Sequence, residues 1–292
     1  MSRHTDSALQ RPEYLATALP STALGVVERP LTPWERLRNN DAARKTLILA
    51  MLAFAWEAYA RWLGNPLLFP SLGATLQALF TGIASGDLLG RCVVSLRVLF
   101  AGYVCGLALA AVLAVVAITT RIGRDLLETL TSMFNPLPAI ALLPLALLWI
   151  GLGTGSIVFV LVHSVLWAVA LNTHSGFMAV SPTLRMVGSN YGLRGLPYVA
   201  RILVPAAFPS ILTGLKIGWA FSWRTLIAAE LVFGVSSGTG GLGWFIYENK
   251  NQLEIPSVFA GLLTVILIGL VVENLVFRVI ERRTIQRWGM QM

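Results

Sequence analysis

Apolar positions along this chain neither alternate nor keep to one helical stripe. They run on in six stretches near residues 46–63, 90–118, 126–150, 155–177, 207–235 and 256–280. Each is long enough to cross a hydrocarbon layer of roughly 30 Å as a helix. The ten-residue alternation of a membrane β-barrel is absent, so the pattern predicts an all-α membrane protein with six transmembrane helices. Residues 64–89 leave room for a small helix around Leu72–Gly82. Residues 236–255 place Gly238, Gly240, Gly241 and Gly243 ahead of Tyr247-Glu248-Asn249-Lys250, the make-up of a gate or a docking surface. Within the second stretch Gly102, Gly106, Ala110 and Ala114 recur four apart on one side of the helix, which predicts close packing against another helix.

The ends read differently. Residues 1–31, rich in Ser, Thr, Pro, Arg and Ala without periodicity, predict a disordered tail. Thr32-Pro33-Trp34-Glu35 has a capping Thr, Pro at the first helical position and Glu three residues after the cap. It predicts an amphipathic interfacial helix over 32–45, with Trp34 dipping into the membrane. The six-helix domain then occupies 46–280, and 281–292 form a C-terminal tail.

Composition agrees: 56% of the 292 residues are hydrophobic and 12% charged, with mean hydropathy +0.72, too little charge to coat a soluble globule. The net charge of +8 does not point to nucleic acid, because the basic residues are dispersed at helix ends. With both termini inside, sixteen of the 22 Lys and Arg flank the cytoplasmic ends, and Arg61, Arg91 and Lys250 flank the others, as the positive-inside rule requires. Cys92 and Cys105 lie thirteen residues apart in one apolar run, about 20 Å along a helix and out of disulfide reach. Some 45 mostly polar residues precede the first apolar stretch, so no cleaved signal peptide is expected.

The connection from Ser181 to Pro209 is longer than topology needs. Ser181-Pro182 is a cap followed by proline in the first turn, predicting a helix to about Asn190; Gly192 and Gly195 break it before Pro197 starts another. The face so formed carries Arg185, Tyr191, Leu193, Arg194, Leu196 and Tyr198, a mix suited to a protein contact.

This loop resembles the signature loop of the permease subunits of bacterial ABC importers, with Gly192, Ile202, Val204 and Pro205 at the matching positions and Met186-Val187-Gly188 in place of the Glu-Ala-Ala triplet. Pro136-Leu-Pro138-Ala-Ile-Ala-Leu-Leu-Pro144, Trp149-Ile-Gly151-Leu-Gly153, Pro205-Ala-Ala-Phe-Pro209, Ala228-Ala-Glu230 and Gly241-Leu-Gly243 are similar to the nitrate, sulfonate, taurine and bicarbonate branch. The resemblance covers roughly 45–280. It implies a type I importer transmembrane domain, a non-catalytic subunit that binds no cofactor itself, ATP and Mg being held by a partner ATPase. It further implies a second copy of the permease, two cytoplasmic ATP-binding subunits, an external solute-binding protein, and a small oxyanion as substrate. Residues 181–205 would be the coupling loop, with Arg185, Tyr191, Gly192, Leu193, Arg194, Gly195, Tyr198 and Pro205 at the contact. The sequence independently lacks a G-x-x-x-x-G-K-[ST] phosphate loop.

Charges inside the spans are the remaining chemistry. Arg224, near the middle of the fifth span, must face protein or water. It either lines the pathway and offsets an anion's charge, or contacts a neighbouring helix. Lys216 lies about 80° away around the same helix and can snorkel. Glu230 reads as a structural anchor held by a cross-helix partner, with gating as the lesser alternative. Pro138 and Pro144, with Pro136, mark either a kinked packing helix or a wall of the pathway. His163 and His174 read as buried, hydrogen-bonded histidines, and Trp149, Trp167, Trp219 and Trp223 as packing residues. An ion-coupled secondary transporter acting without an ATPase is the rival reading; it expects carboxylates at midplane and an inverted repeat. A membrane-embedded enzyme would need an acid–base or nucleophile constellation, and none is apparent.

Overall fold

The computed structural model describes residues 39–233 and 240–286, and these contain helices and connections but no strand. The tail 1–31, the Thr32–Glu35 capping signature, Gly238 and the last six residues lie outside them. The chain divides at Phe54: the N-terminal unit contributes the first part of α1 (Asp41–Leu63), and the unit from Ala55 onward holds everything else. The chain continues through α2 (Leu72–Ala84), α3 (Asp87–Thr119), α4 (Arg121–Phe134), a 3-10 turn (Ala139–Leu142) and α5 (Leu143–Ile150). It then forms α6 (Thr154–Met178), α7 (Pro182–Asn190), α8 (Gly195–Ala206), α9 (Phe208–Phe233), α10 (Leu242–Asn251) and α11 (Ile255–Ile285).

Helices α1, α3, α6 and α11 are each long and apolar enough to cross a membrane, and six spans result when two bent pairs each count as one. In one pair α4 meets the Ala139–Ile150 segment at 89°, and in the other α8 meets α9 at 79°. The stretch 126–150 is therefore not the single helix that its apolar run suggests. Pro136 and Pro138 remove backbone donors at the break, and Pro138 adopts an extended conformation (ψ 120°) ahead of the 3-10 turn. Residues 41–45, expected within a separate surface helix, are the first turn of α1, where the Asn40 side chain caps the amide of Ala42 at 3.0 Å.

Helix α6 is the centre, packed between α3 and α9. The small residues of α3 make this possible: a Cβ on Gly102 would stand 2.5 Å from Leu161 Cβ, and one on Gly106 2.7 Å from Val165 Cβ. Gly214 of α9 approaches Asn172 as closely, with 2.8 Å left for a Cβ. Tyr103 donates its hydroxyl to the Leu215 carbonyl at 2.9 Å, tying α3 to α9. Trp223 Nε1 donates to the Val265 carbonyl at 3.3 Å, tying α9 to α11. Burial follows: Leu99, Ala110, Ala114, Leu161 and Val165 are fully enclosed.

Candidate functional site: a cavity at the broken span and a bent helical loop

The break after α4 opens a cavity of about 390 Å³ whose wall includes Asn135, Pro136, Pro138, His163, Trp167 and Arg224. Phe221, Arg224, Thr225 and Ala228 also line it from α9, and Ser164 from α6. The spacing of three and four residues puts the α9 set on one helical face. Arg224 is solvent-accessible. Its Nε donates to the Ala220 carbonyl at 3.1 Å, and its guanidinium lies 5.5 Å from the centre of the Phe221 ring. Among the described residues no carboxylate pairs with it. Ser164 Oγ lies 3.1 Å from Thr225 Oγ1 and 3.2 Å from the Val160 carbonyl. Trp167 is stacked on Phe134, with ring centres 5.6 Å apart.

Of the other pathway candidates, Pro138 lines this cavity, whereas Pro144, Lys216 and Glu230 do not. Pro144 lies in the first turn of α5 and is exposed. Lys216 Nζ pairs with Glu281 at 2.7 Å and faces Glu273 at 3.8 Å, both on α11. Glu230 is 3% exposed. Both its oxygens lie 2.8 Å from Ser95 Oγ, and Oε2 accepts the Gly243 amide at 2.8 Å. Ser95 Oγ in turn accepts the Leu242 amide at 2.8 Å. The carboxyl thus clamps the free N–H groups that open α10 onto α3 and α9. Gly241 and Gly243 are required there, since their Cβ atoms would stand 2.2 Å from Glu230 Oε1 and 2.5 Å from Glu230 Cβ.

The 181–205 segment forms two helices joined at a glycine bend. Ser181 accepts from the Leu184 amide at 3.4 Å and starts α7. The helix ends with Gly192 at φ +69°, the Gly192 amide bonded to Ser189 O at 2.9 Å and the Leu193 amide to Gly188 O at 3.0 Å; this is the Schellman arrangement. Gly195, at φ +58°, then opens α8. Tyr191, Arg194 and Leu196 are exposed, and Leu193 and Tyr198 are half-buried. Pro205 sits inside α8, where its missing N–H coincides with a π-helical stretch at Val199–Leu203.

Two members of the expected contact face turn inward. Tyr198 packs on Gly188, where a Cβ would stand 2.8 Å from its ring, which accounts for glycine at this joint. Arg185 donates through Nε to Val180 O at 3.1 Å and through a terminal nitrogen to Phe177 O at 2.6 Å, closing the end of α6.

Residues 102–286 match the family model of the binding-protein-dependent transport system inner membrane component. The chain belongs to this family. It is 29% identical over 243 residues to a putative ABC transporter permease protein of Methanocaldococcus jannaschii, covering 82% of this chain and 90% of that one. It is 28% identical over 261 residues to the taurine transport system permease protein of Escherichia coli (86% and 90% covered). With the nitrate import permease protein of a Synechocystis strain it shares 26% identity over 255 residues (85% and 91%). The chain is thus an all-helical, six-span ABC transporter permease of the nitrate, sulfonate and taurine branch, with the type I transmembrane fold.

Asn135, Ser164 and Thr225 are cavity residues of this permease that reading along the sequence did not single out. A signal existed: Asp125, Glu128, Thr129 and Ser132 are exposed and recur at three and four residues along α4, a polar stripe that leads to Asn135 at the cavity. His163, read as a buried hydrogen-bonded histidine, and Trp167, read as a packing residue, also line the wall. The His163 ring faces the Phe134 backbone, but among the described residues neither of its nitrogens, nor Nδ1 of His174, has a hydrogen-bond partner of good geometry.

Proposed function

We propose that this chain is the membrane-spanning, non-catalytic subunit of an ATP-driven importer and forms the pathway of a small oxyanion handed over by an external binding protein. Two copies would assemble with two cytoplasmic ATPase subunits, both termini of each copy lying on the cytoplasmic side. The observation that carries this reading is Arg185. It fastens α7 to the end of α6, and the same α6 supplies His163, Ser164 and Trp167 to the cavity wall. A displacement of the exposed Gly192 bend by a docked ATPase would therefore pass along one stiff helix to the cavity.

An oxyanion substrate is supported by Arg224 in the wall, which no carboxylate among the described residues pairs, and by the relatives whose names specify taurine and nitrate. The test is co-expression with a candidate ATPase and binding protein, followed by uptake into vesicles. Uptake should need ATP inside and the binding protein outside. Uptake driven by an ion gradient alone, with no ATPase co-purifying, would replace this reading with that of a secondary transporter.

A further inference from the structure

We infer that the cavity at the broken span is itself an oxyanion-binding site, in which Arg224, Thr225 and Asn135 hold the substrate in transit, so that the permease selects its cargo a second time. This rests on the transport reading above and adds a site to it. The wall is built largely of Pro136, Leu137, Pro138, Ala139, Phe221 and Ala228, and among the described residues no Asp or Glu contributes to it. A guanidinium that no carboxylate among the described residues neutralises, beside a largely apolar wall, favours an anion.

The other polar groups have hydrogens to give. Thr225 Oγ1 lies 3.1 Å from Ser164 Oγ, which also reaches the Val160 carbonyl at 3.2 Å; with the Ser164 hydrogen turned to Thr225, the Thr225 hydroxyl hydrogen is available to a guest. Asn135 is exposed, its backbone amide is engaged with Thr131 O at 3.0 Å, and its carboxamide has no partner among the described residues. Trp167 contributes its ring to the wall, its Nε1 being enclosed and without a hydrogen-bond partner among the described residues. A fork of guanidinium donors flanked by a hydroxyl and a carboxamide suits the planar or tetrahedral oxygens of nitrate or a sulfonate group. The volume of about 390 Å³ accommodates either with a few waters.

The experiment uses the purified permease–ATPase complex in nanodiscs without binding protein, titrated calorimetrically with sodium nitrate and sodium methanesulfonate against ionic-strength-matched sodium gluconate. One small anion should bind per permease chain. Arg224→Gln should weaken binding about tenfold or more, as expected when a charge-assisted hydrogen bond is lost. Arg224→Lys should retain part of it, and Thr225→Val should weaken it by a smaller factor. If Arg224→Gln does not assemble, Thr225→Val and Asn135→Ala carry the same test. No binding by the intact complex, or equal binding by all variants, would overturn the site while ATP-dependent uptake still stood. Absence of the ATPase from the purified complex would instead strike at the transport reading.

Discussion

At the scale of single residues, Gly192 and Glu230 give the sharpest tests. Gly192 has open space where a Cβ would go, so substitution acts only through its φ of +69°. A β-branched residue there costs roughly 1–3 kcal/mol and tilts α8 away from the axis set by α7. Gly192→Val should leave the spans inserted and weaken ATPase association; normal ATPase retention on a pull-down with normal coupled uptake would reduce the loop to a connector. Glu230 works by acceptance: remove its carboxyl and the Gly243 amide and Ser95 hydroxyl lose their partner in a site 3% exposed. Glu230→Ala should lower stability by about 2–3 kcal/mol, as for a lost charged hydrogen-bond partner, read as an earlier thermal transition in detergent. Glu230→Gln, which keeps an acceptor for the amide, should lose less. Equal transitions for the wild type and both variants would remove Glu230 from the account of how α10 is held.

At the scale of elements, the helix ends of the 181–205 loop were legible because a cap and breakers mark them. Ser181-Pro182 and Gly192 give the ends of α7 in the sequence, and the second, fourth and sixth apolar stretches agree with α3, α6 and α11 to within a few residues. The 126–150 stretch was not legible as two helices. Hydropathy averages across Pro136–Pro144, and an 89° bend depends on what α6 and α9 offer the freed backbone, which no local pattern records. Side-chain direction was equally hidden. Arg185 belongs by sequence to a contact face, yet it reaches back to two carbonyls at the end of α6 because α7 folds under that helix. Arg185→Leu should therefore let the ATPase bind while reducing uptake per ATP hydrolysed, measured in the same vesicles. Loss of ATPase binding with intact coupling in whatever complex remains would return Arg185 to the contact face.

At the scale of the whole molecule, the uneven distribution of Lys and Arg sets an orientation that the helices make testable. Six spans with both termini inside put the α3–α4 junction on the cytoplasmic face and the α5–α6 junction on the other. Each junction has a well-exposed marker, Ile122 at 82% and Leu152 at 87%. Of the native cysteines, Cys92 is buried and Cys105 is exposed. Replacing both with alanine gives a background on which Ile122→Cys and Leu152→Cys can be labelled with a membrane-impermeant maleimide. Leu152→Cys should react in intact spheroplasts and Ile122→Cys only in inverted vesicles, because the helices between them would carry the chain across once. A same-sided result would mean that the broken pair at Pro136–Pro138 dips into the membrane and returns. The count would then fall to five, the termini would lie on opposite faces, and the 181–205 loop would stand on the side away from the N-terminus. Opposite-sided labelling, in contrast, would establish α4, the break and α5 together as one interrupted span, with Arg224 facing that interruption from α9.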